Sequence, residues 1–359
     1  MKDSLYDVST EIRTFAEREN TLKRTTGSSL VTRPAIRPAW GGVWREKILG
    51  ISAEEVRFVR RGFPADVPGI RERLERAGGA FVDGYNRALR HRGDPQALHA
   101  ALRELDDDLQ GFAHEGAGMG LAIVDSIAPW SASAWRAFLD AHRRYSYLIL
   151  IGCGWAMARM FRRALPRFAR DADPLLWPLI YDGLGFHQAF FHPAKYVRAR
   201  RRPRLPGYAA NAFDQGVGRC LWFVEGASPK RIGATIDTFE PARRHDLWSG
   251  TGIACGYAGG LDRDGVTALA ARPGEHRPAL AQGVASAAMA RVDGGNVTPA
   301  NELACAVLCG VDTHTAALFM REDLARADAA RNAQPATDNA QQEPRYEAWR
   351  RFAQQRYWS

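Results

Sequence analysis

Apolar residues recur along most of this chain with the period of an α-helix. Phe81, Tyr85 and Leu89 are spaced four residues apart, which places them on one helical face. Alternation of period two, the mark of a half-buried strand, is scarce. Two short apolar runs, Tyr147–Ile151 and Cys220–Val224, are compatible with either a short strand or a buried helical turn. The pattern therefore predicts a mainly helical protein.

The stretch Leu109–Asp125 predicts the centre of the core. Read as a helix, it places Ala113, Gly116, Ala117 and Gly120 along one side. Glycine inside a helix costs roughly 1 kcal/mol relative to alanine, so several glycines there need compensation from tight packing. We therefore expect another backbone to approach this helix closely.

Related segments occur three times along the chain. In each, a glycine followed by an aromatic residue begins a helical segment, at Gly84, Gly154 and Gly256. A later segment carries a polar pair beside small residues: His114-Glu115, His187-Gln188 and Gln282-Gly283. Repeated helix pairs bury their apolar faces on their neighbours. We predict an all-α fold, an irregular array of repeated helix pairs in one compact domain.

Changes in composition suggest three regions. Residues 1–44 are polar and weakly patterned, and we expect a flexible N-terminal arm. Residues 45–325 carry the helical pattern and form the predicted repeat domain. Residues 326–359 begin with an Ala-, Asn- and Gln-rich stretch typical of a linker and end in a short amphipathic helix.

Composition narrows the class of protein. Hydrophobic residues make up 46% of the 359 residues, enough for a large core, and the net charge of +9 favours an acidic partner. Five cysteines, an odd number, favour reduced thiols in a cytoplasm. The longest apolar run, Tyr145–Ala158, is shorter than the roughly 20 residues of a membrane span. We expect a soluble, cytoplasmic protein without a membrane span.

Four polar residues are candidates for chemistry. His114, Glu115, Asp182 and His187 lie in apolar surroundings, where altered pKa values suit acid-base catalysis or metal binding. The alternative is that they form structural hydrogen bonds at the helix contacts. His187 and His192 are five residues apart, a poor match to the spacing of helical zinc sites, so we predict no metal site.

A dinucleotide site is a further alternative. The glycines after Tyr147–Ile151, at Gly152 and Gly154, imitate the glycine-rich loop that cradles a pyrophosphate after a strand. No second β-α-β pattern follows, so the sequence gives little support to this alternative. The sequence does not identify any cofactor.

The densest positive charge is the run RARRRPR. It is either a solvated loop or a docking site for an acidic carrier protein or a phosphate group, which guanidinium groups bind well. No nucleic-acid-binding motif accompanies it, so nucleic acid is not a predicted partner. The docking candidates are Arg198, Arg200, Arg201, Arg202 and Arg204.

Several long motifs, among them GFAHEGAGMGLAIVD, YDGLGFHQAFFHP and RRHDLWSGTGIACGYAGG, resemble the bacterial enediyne biosynthesis protein family, a domain of unknown function. The resemblance covers nearly the whole chain, from about Gly50 to Phe352. It implies genes next to those for enediyne-type polyketide synthases, and it brings no catalytic residues with it. Gln188 departs from the family pattern, which has a glutamate there, and this weakens a carboxylate role at that position.

These observations lead to three functional hypotheses. The first is an accessory protein of natural-product biosynthesis that binds an apolar polyketide intermediate or one attached to a carrier protein. The second is a pathway enzyme that uses the His/Glu/Asp residues as an acid-base or metal cluster, and the third is a non-catalytic scaffold. For the first hypothesis the predicted pocket-lining residues are Phe112, Trp155, Phe186 and Trp222.

Overall fold

Helices account for all the regular structure in the part of the chain that the structure describes. The computed structural model describes residues 40–127, 133–160, 168, 172–333 and 343–357. The predicted all-α class is confirmed, because these residues contain helices and no strand. Tyr147–Ile151 and Cys220–Val224 both lie inside helices, so the strand alternative is wrong for both. They are buried on every side, which explains their continuous apolar character.

Sixteen α-helices are numbered here in chain order within the described residues. They are α1 (Trp40–Leu49), α2 (Phe58–Arg61), α3 (Ile70–His91), α4 (Pro95–Arg103), α5 (Gln110–Ile127), α6 (Ala134–Ala141), α7 (Ser146–Arg159), α8 (Pro178–Phe191), α9 (Ala209–Val224), α10 (Pro229–Asp237), α11 (Pro241–Ala258), α12 (Arg263–Ala270), α13 (Arg277–Gly294), α14 (Pro299–Ala304), α15 (Thr313–Asn332) and α16 (Arg345–Gln355). Single turns of 3₁₀-helix or π-helix occur at Ala53–Val56, Asp107–Leu109, Arg143–Tyr145, Ala194–Arg198, Gly274–His276 and Cys305–Cys309.

Seven of these helices form a continuous row in which each packs on the next: α3, α5, α7, α8, α9, α11 and α13. Glycines make this contact unusually close. A Cβ atom added at Gly84 would lie 2.1 Å from the carbonyl oxygen of Ala113, and one added at Gly116 would lie 1.9 Å from that of Phe81. Only glycine allows two backbones to approach this closely.

Five helices of the row share a Gly-x-Gly motif that produces these contacts. Successive residues of a helix are about 100° apart, so glycines two positions apart lie on nearly opposite sides. Each helix can therefore approach both neighbours. In α7, for example, Gly152 faces the Glu115 carbonyl of α5 while Gly154 faces the Ile180 carbonyl of α8. The five motifs begin at Gly116, Gly152, Gly183, Gly216 and Gly250.

The row curves until its end meets its beginning. Arg291 of α13 donates to the carbonyl oxygen of Asp108 (2.8 Å), and Asn296 donates to that of Asp107 (3.0 Å), both just before α5. The rings of Phe112 in α5 and Tyr257 in α11 lie 5.2 Å apart. The seven helices thus surround an interior space.

The C-terminal helices pack on each other after the row. Helix α15 continues to Asn332, and α16 packs against it, with the Trp349 indole donating to the Met320 carbonyl oxygen (2.7 Å). The predicted arm lies outside the described residues, apart from the start of α1. Most of the predicted linker also lies outside them.

The length and composition of the described helices bear on whether any of them could cross a membrane. Among them, no single helix combines the length and the apolar composition needed to cross a membrane. One bent pair, Pro299–Cys309 with Thr313–Asn332, reaches those values when its two parts are counted together.

Candidate functional site

An apolar cavity lies in the space that the seven helices surround. Counted as the space open to the centre of a water-sized sphere, its volume is about 60 Å³. One water needs roughly 10–15 Å³ by that measure, so the cavity is narrow and holds a slender group or a few waters. Its wall is largely apolar and includes eight aromatic residues, Phe81, Phe112, Tyr147, Trp155, Phe186, Phe190, Phe223 and Tyr257.

Two charged side chains, Glu115 and Arg219, interrupt this apolar wall. The Nη2 atom of Arg219 lies 3.8 Å from Oε1 of Glu115. Its Nη1 atom donates to Oδ1 of Asp182 at 2.5 Å. The guanidinium group also lies 5.2 Å from the centre of the Phe186 ring. A charge this deep in a protein is tolerated only when it is paired, and Asp182 is the carboxylate hydrogen-bonded to Arg219.

The Gly-x-Gly motif explains why these side chains meet. Glu115 and Asp182 each precede the first glycine of a motif, at Gly116 and Gly183. Arg219 directly follows the second glycine of another motif. These positions belong to three different helices, α5, α8 and α9, and the close glycine contacts bring the three backbones together.

Burial changes the protonation of this cluster. Burial raises the pKa of Glu115 to about 7, and the positive charge of Arg219 opposes that rise only in part. Burial also raises the pKa of Asp182, against the opposing effects of Arg219 and of the hydrogen bond from Gln215. Burial lowers the pKa of Arg219, but the two carboxylates outweigh it and raise that pKa overall. Near neutral pH, Glu115 therefore exists in both protonation states and can exchange a proton with a bound molecule.

A polar network connects this cluster to the C-terminal helix. Asp182 accepts from Gln215 (2.8 Å), and the Gln215 amide donates to the hydroxyl of Tyr346 in α16 (3.1 Å). One turn later, Arg350 is 1% exposed and donates to Asp246 of α11 at 2.9 Å. Helix α16 therefore supports Asp182 through hydrogen bonds and also packs on the helices around it.

The structure separates the four predicted chemical residues. Glu115 and Asp182 meet through Arg219, as described above. His114 is the neighbour of Glu115 but points away from the cavity: its ring stacks on Tyr145 (3.9 Å), and its Nδ1 bonds the Gln110 carbonyl oxygen (2.7 Å). Burial lowers the pKa of His114 to about 3, so the ring is neutral at physiological pH.

His187 also lies outside the Glu115–Asp182 cluster. Its ring contacts Trp155 and Phe191, with centroids 5.4 and 4.7 Å away, and burial lowers its pKa well below the usual value. Neither His187 nor His114 lines the cavity. In the described part of the chain, no group of three or more His, Cys, Asp or Glu side chains is arranged to hold a metal ion.

Three of the four predicted lining residues, Phe112, Trp155 and Phe186, lie on the cavity wall. The fourth, Trp222, does not. It is fully buried between helices, where its indole donates to the Gly259 carbonyl oxygen (3.0 Å). Its neighbour Phe223 lines the cavity in its place, because adjacent side chains of a helix point about 100° apart.

The glycines at Gly152 and Gly154 do not form a phosphate-binding loop. Both lie in the middle of α7, where their backbone groups take part in the helix and their free faces touch neighbouring helices. The dinucleotide alternative is therefore wrong for this segment.

The predicted docking residues lie in the segment between α8 and α9, where all five side chains are exposed: Arg198, Arg200, Arg201, Arg202 and Arg204. Two of them also have structural roles. Arg202 pairs with the buried Asp214 at 2.7 Å. The backbone carbonyl of Arg200 accepts a hydrogen bond from Arg243.

Arg219 is the functional candidate that sequence reasoning missed. Arg219 does not belong to the glycine-aromatic repeats but to the Gly-x-Gly motif, which recurs every 31–36 residues at positions 116, 152, 183, 216 and 250. The residues that flank this motif include Glu115, Asp182 and Arg219. That period was the signal in the sequence that could have identified the cluster.

Comparison with known protein families identifies the family of this chain. A family model described as a protein of unknown function (DUF1702) matches residues 40–357. No curated protein and no solved structure matches the chain. The match covers all seven helices of the row together with α16, so the chain belongs to the DUF1702 family of proteins of unknown function.

Proposed function

We propose that this protein binds a slender apolar molecule in the cavity, as an accessory protein of natural-product biosynthesis of the enediyne type. The observation that carries the proposal is the largely apolar cavity wall with one charged cluster, Glu115 and Arg219. Ligand sites are typically apolar pockets in which a few polar groups fix the orientation of the ligand. The pathway itself is suggested only by the motifs that resemble the enediyne biosynthesis family.

Exposed arginines support the idea that an acidic partner delivers the ligand to the cavity. Arg198, Arg201 and Arg204 extend from the surface segment between α8 and α9. Phe190, near the end of α8, lines the cavity. A carrier protein bound at these arginines would therefore dock on the segment that follows a cavity-lining helix.

A fluorescent apolar probe tests whether the cavity binds ligands. The rod-shaped apolar dye 1,6-diphenyl-1,3,5-hexatriene should bind the wild-type protein with increased fluorescence. Ala254 lines the cavity and is 5% exposed, so Ala254→Phe should fill the space and abolish most of that signal. Ala329→Phe makes the same change on the exposed side of α15 and should leave binding unchanged. Equal binding by the wild type and Ala254→Phe would contradict the proposal.

Glu115 supports a second candidate function, proton transfer to or from the bound molecule. A carboxyl group with a pKa of about 7 beside an apolar cavity is suited to general acid-base catalysis. The test is to complement a gene-deletion strain with a Glu115→Gln gene and compare metabolites by mass spectrometry. An enzyme would leave its substrate unprocessed in this strain, as in the deletion strain, whereas a binding protein would restore the wild-type metabolites.

A further inference from the structure

Glu115 and Arg219 face the cavity without being hydrogen-bonded to each other. The 3.8 Å between Arg219 Nη2 and Glu115 Oε1 is longer than a hydrogen bond. Arg219 uses Nη1 for Asp182, which leaves Nη2 on the side of Glu115. The two groups thus lie side by side in the cavity wall, and both can still bond to a ligand.

A single oxygen atom can satisfy both groups. Two donors 3.8 Å apart can each lie roughly 2.9 Å from one acceptor placed between them, which is an ordinary hydrogen-bond length. A carbonyl oxygen has two lone pairs and accepts two such bonds. We propose that the ligand of this cavity carries a carbonyl group, as a ketone, aldehyde or ester does, whose oxygen accepts from Arg219 and from the Glu115 carboxyl group. This inference rests on the proposed binding function.

Charge balance favours a neutral carbonyl group over a charged one. Arg219 and Asp182 already compensate each other at 2.5 Å, and Glu115 is neutral when it carries the proton it needs to donate. A ligand carboxylate would add an unbalanced negative charge to an apolar cavity. A ligand ammonium group would lie beside the positive Arg219 and has no lone pair with which to accept a hydrogen bond from it. Both are costly in a largely apolar cavity.

Asp182 and Gln215 act as positioning residues for this pair. Asp182 is fully buried and holds Arg219 through Oδ1, while Gln215 donates to Oδ2 (2.8 Å) and also bonds Tyr346 of α16. Both carboxylate oxygens of Asp182 are therefore occupied. The guanidinium group is fixed before a ligand arrives, which reduces the entropy cost of binding.

Displacement of 1,6-diphenyl-1,3,5-hexatriene by matched compounds tests the inference. The ketone 2-undecanone and the alkene 2-methyl-1-undecene have the same shape and differ in one carbonyl oxygen. We expect the ketone to displace the probe at a concentration at least about tenfold lower, and 2-aminoundecane to be no better than the alkene. Equal potency of ketone and alkene, or highest potency of the amine, would overturn the inference.

Two variants test whether the preference for the ketone over the alkene depends on Glu115. Glu115→Leu should reduce the tenfold difference, because the carbonyl oxygen would then accept a hydrogen bond from Arg219 alone. Glu115→Gln keeps a hydrogen-bond donor in its amide group and should retain the preference. If Glu115→Leu still preferred the ketone as strongly as the wild type, the assignment would fail. Absence of any probe binding by the wild-type protein would instead refute the proposed binding function.

Discussion

Replacing Gly154 with alanine should destabilise the protein, although alanine favours helix by roughly 1 kcal/mol. The new Cβ would lie 2.0 Å from the Ile180 carbonyl oxygen and 2.7 Å from the Leu184 nitrogen. Ordinary contact begins at 3.4 Å, so α7 and α8 would have to separate by about 1.4 Å. Overpacking of this kind costs about 1–3 kcal/mol or more, and here the obstacle is rigid backbone.

Gly79→Ala provides the matched control in another helix of the row. Gly79 lies inside α3, and nothing is within 4 Å of the position its Cβ would take. We expect this variant to be as stable as the wild type or up to about 1 kcal/mol more stable. Urea unfolding followed by circular dichroism measures the stability of both variants. If Gly154→Ala were as stable as Gly79→Ala, the close helix contact would not be essential to the fold.

Three further predictions concern charged residues. Glu115 has its pKa raised from 4.5 to about 7 in the folded protein, so the folded state binds more protons and its stability should fall as pH rises between these values. Glu115→Gln should reduce that fall by up to about 3 kcal/mol, as measured by urea unfolding at a series of pH values. An unchanged dependence of the unfolding free energy on pH would contradict the raised pKa of Glu115. Arg350→Met should cost about 3–5 kcal/mol, because it leaves the buried Asp246 without its cation, whereas Arg351→Met, in a half-exposed pair, should cost less than about 1 kcal/mol. Arg201→Glu should weaken binding of an acidic carrier protein at low salt in a surface-binding assay without altering stability, and unchanged affinity would exclude this arginine from docking.

The pair His114-Glu115 illustrates the limit of sequence reasoning. Both residues attract attention, but side chains next to each other in a helix point about 100° apart, so at most one can face a given cavity. Helical periodicity alone does not show which of the two residues faces the cavity. The structure turns Glu115 to the cavity and His114 to Tyr145, because the glycine contacts of Gly116 and Gly118 fix the rotation of α5 between its neighbours.

The same reasoning applies to the predicted cavity wall. Phe112, Trp155 and Phe186 lie on it, and Trp222 does not, although all four are large and apolar. Burial and size are properties that composition and pattern predict. The direction of a side chain depends on the rotation of its helix, and an error of one residue exchanges Trp222 for Phe223.

The sequence by itself determined that the chain is helical and that its helices pack closely, because helical periodicity and glycine are local properties of the chain. It also contained the period of the Gly-x-Gly motif. Only the tertiary structure decided that the row of helices curves back on itself and that Glu115, Asp182 and Arg219, up to 104 positions apart, meet beside one cavity. The physical reason is that these contacts depend on how each of the seven helices in the row is rotated relative to the one before it. No local sequence pattern specifies the sum of these rotations.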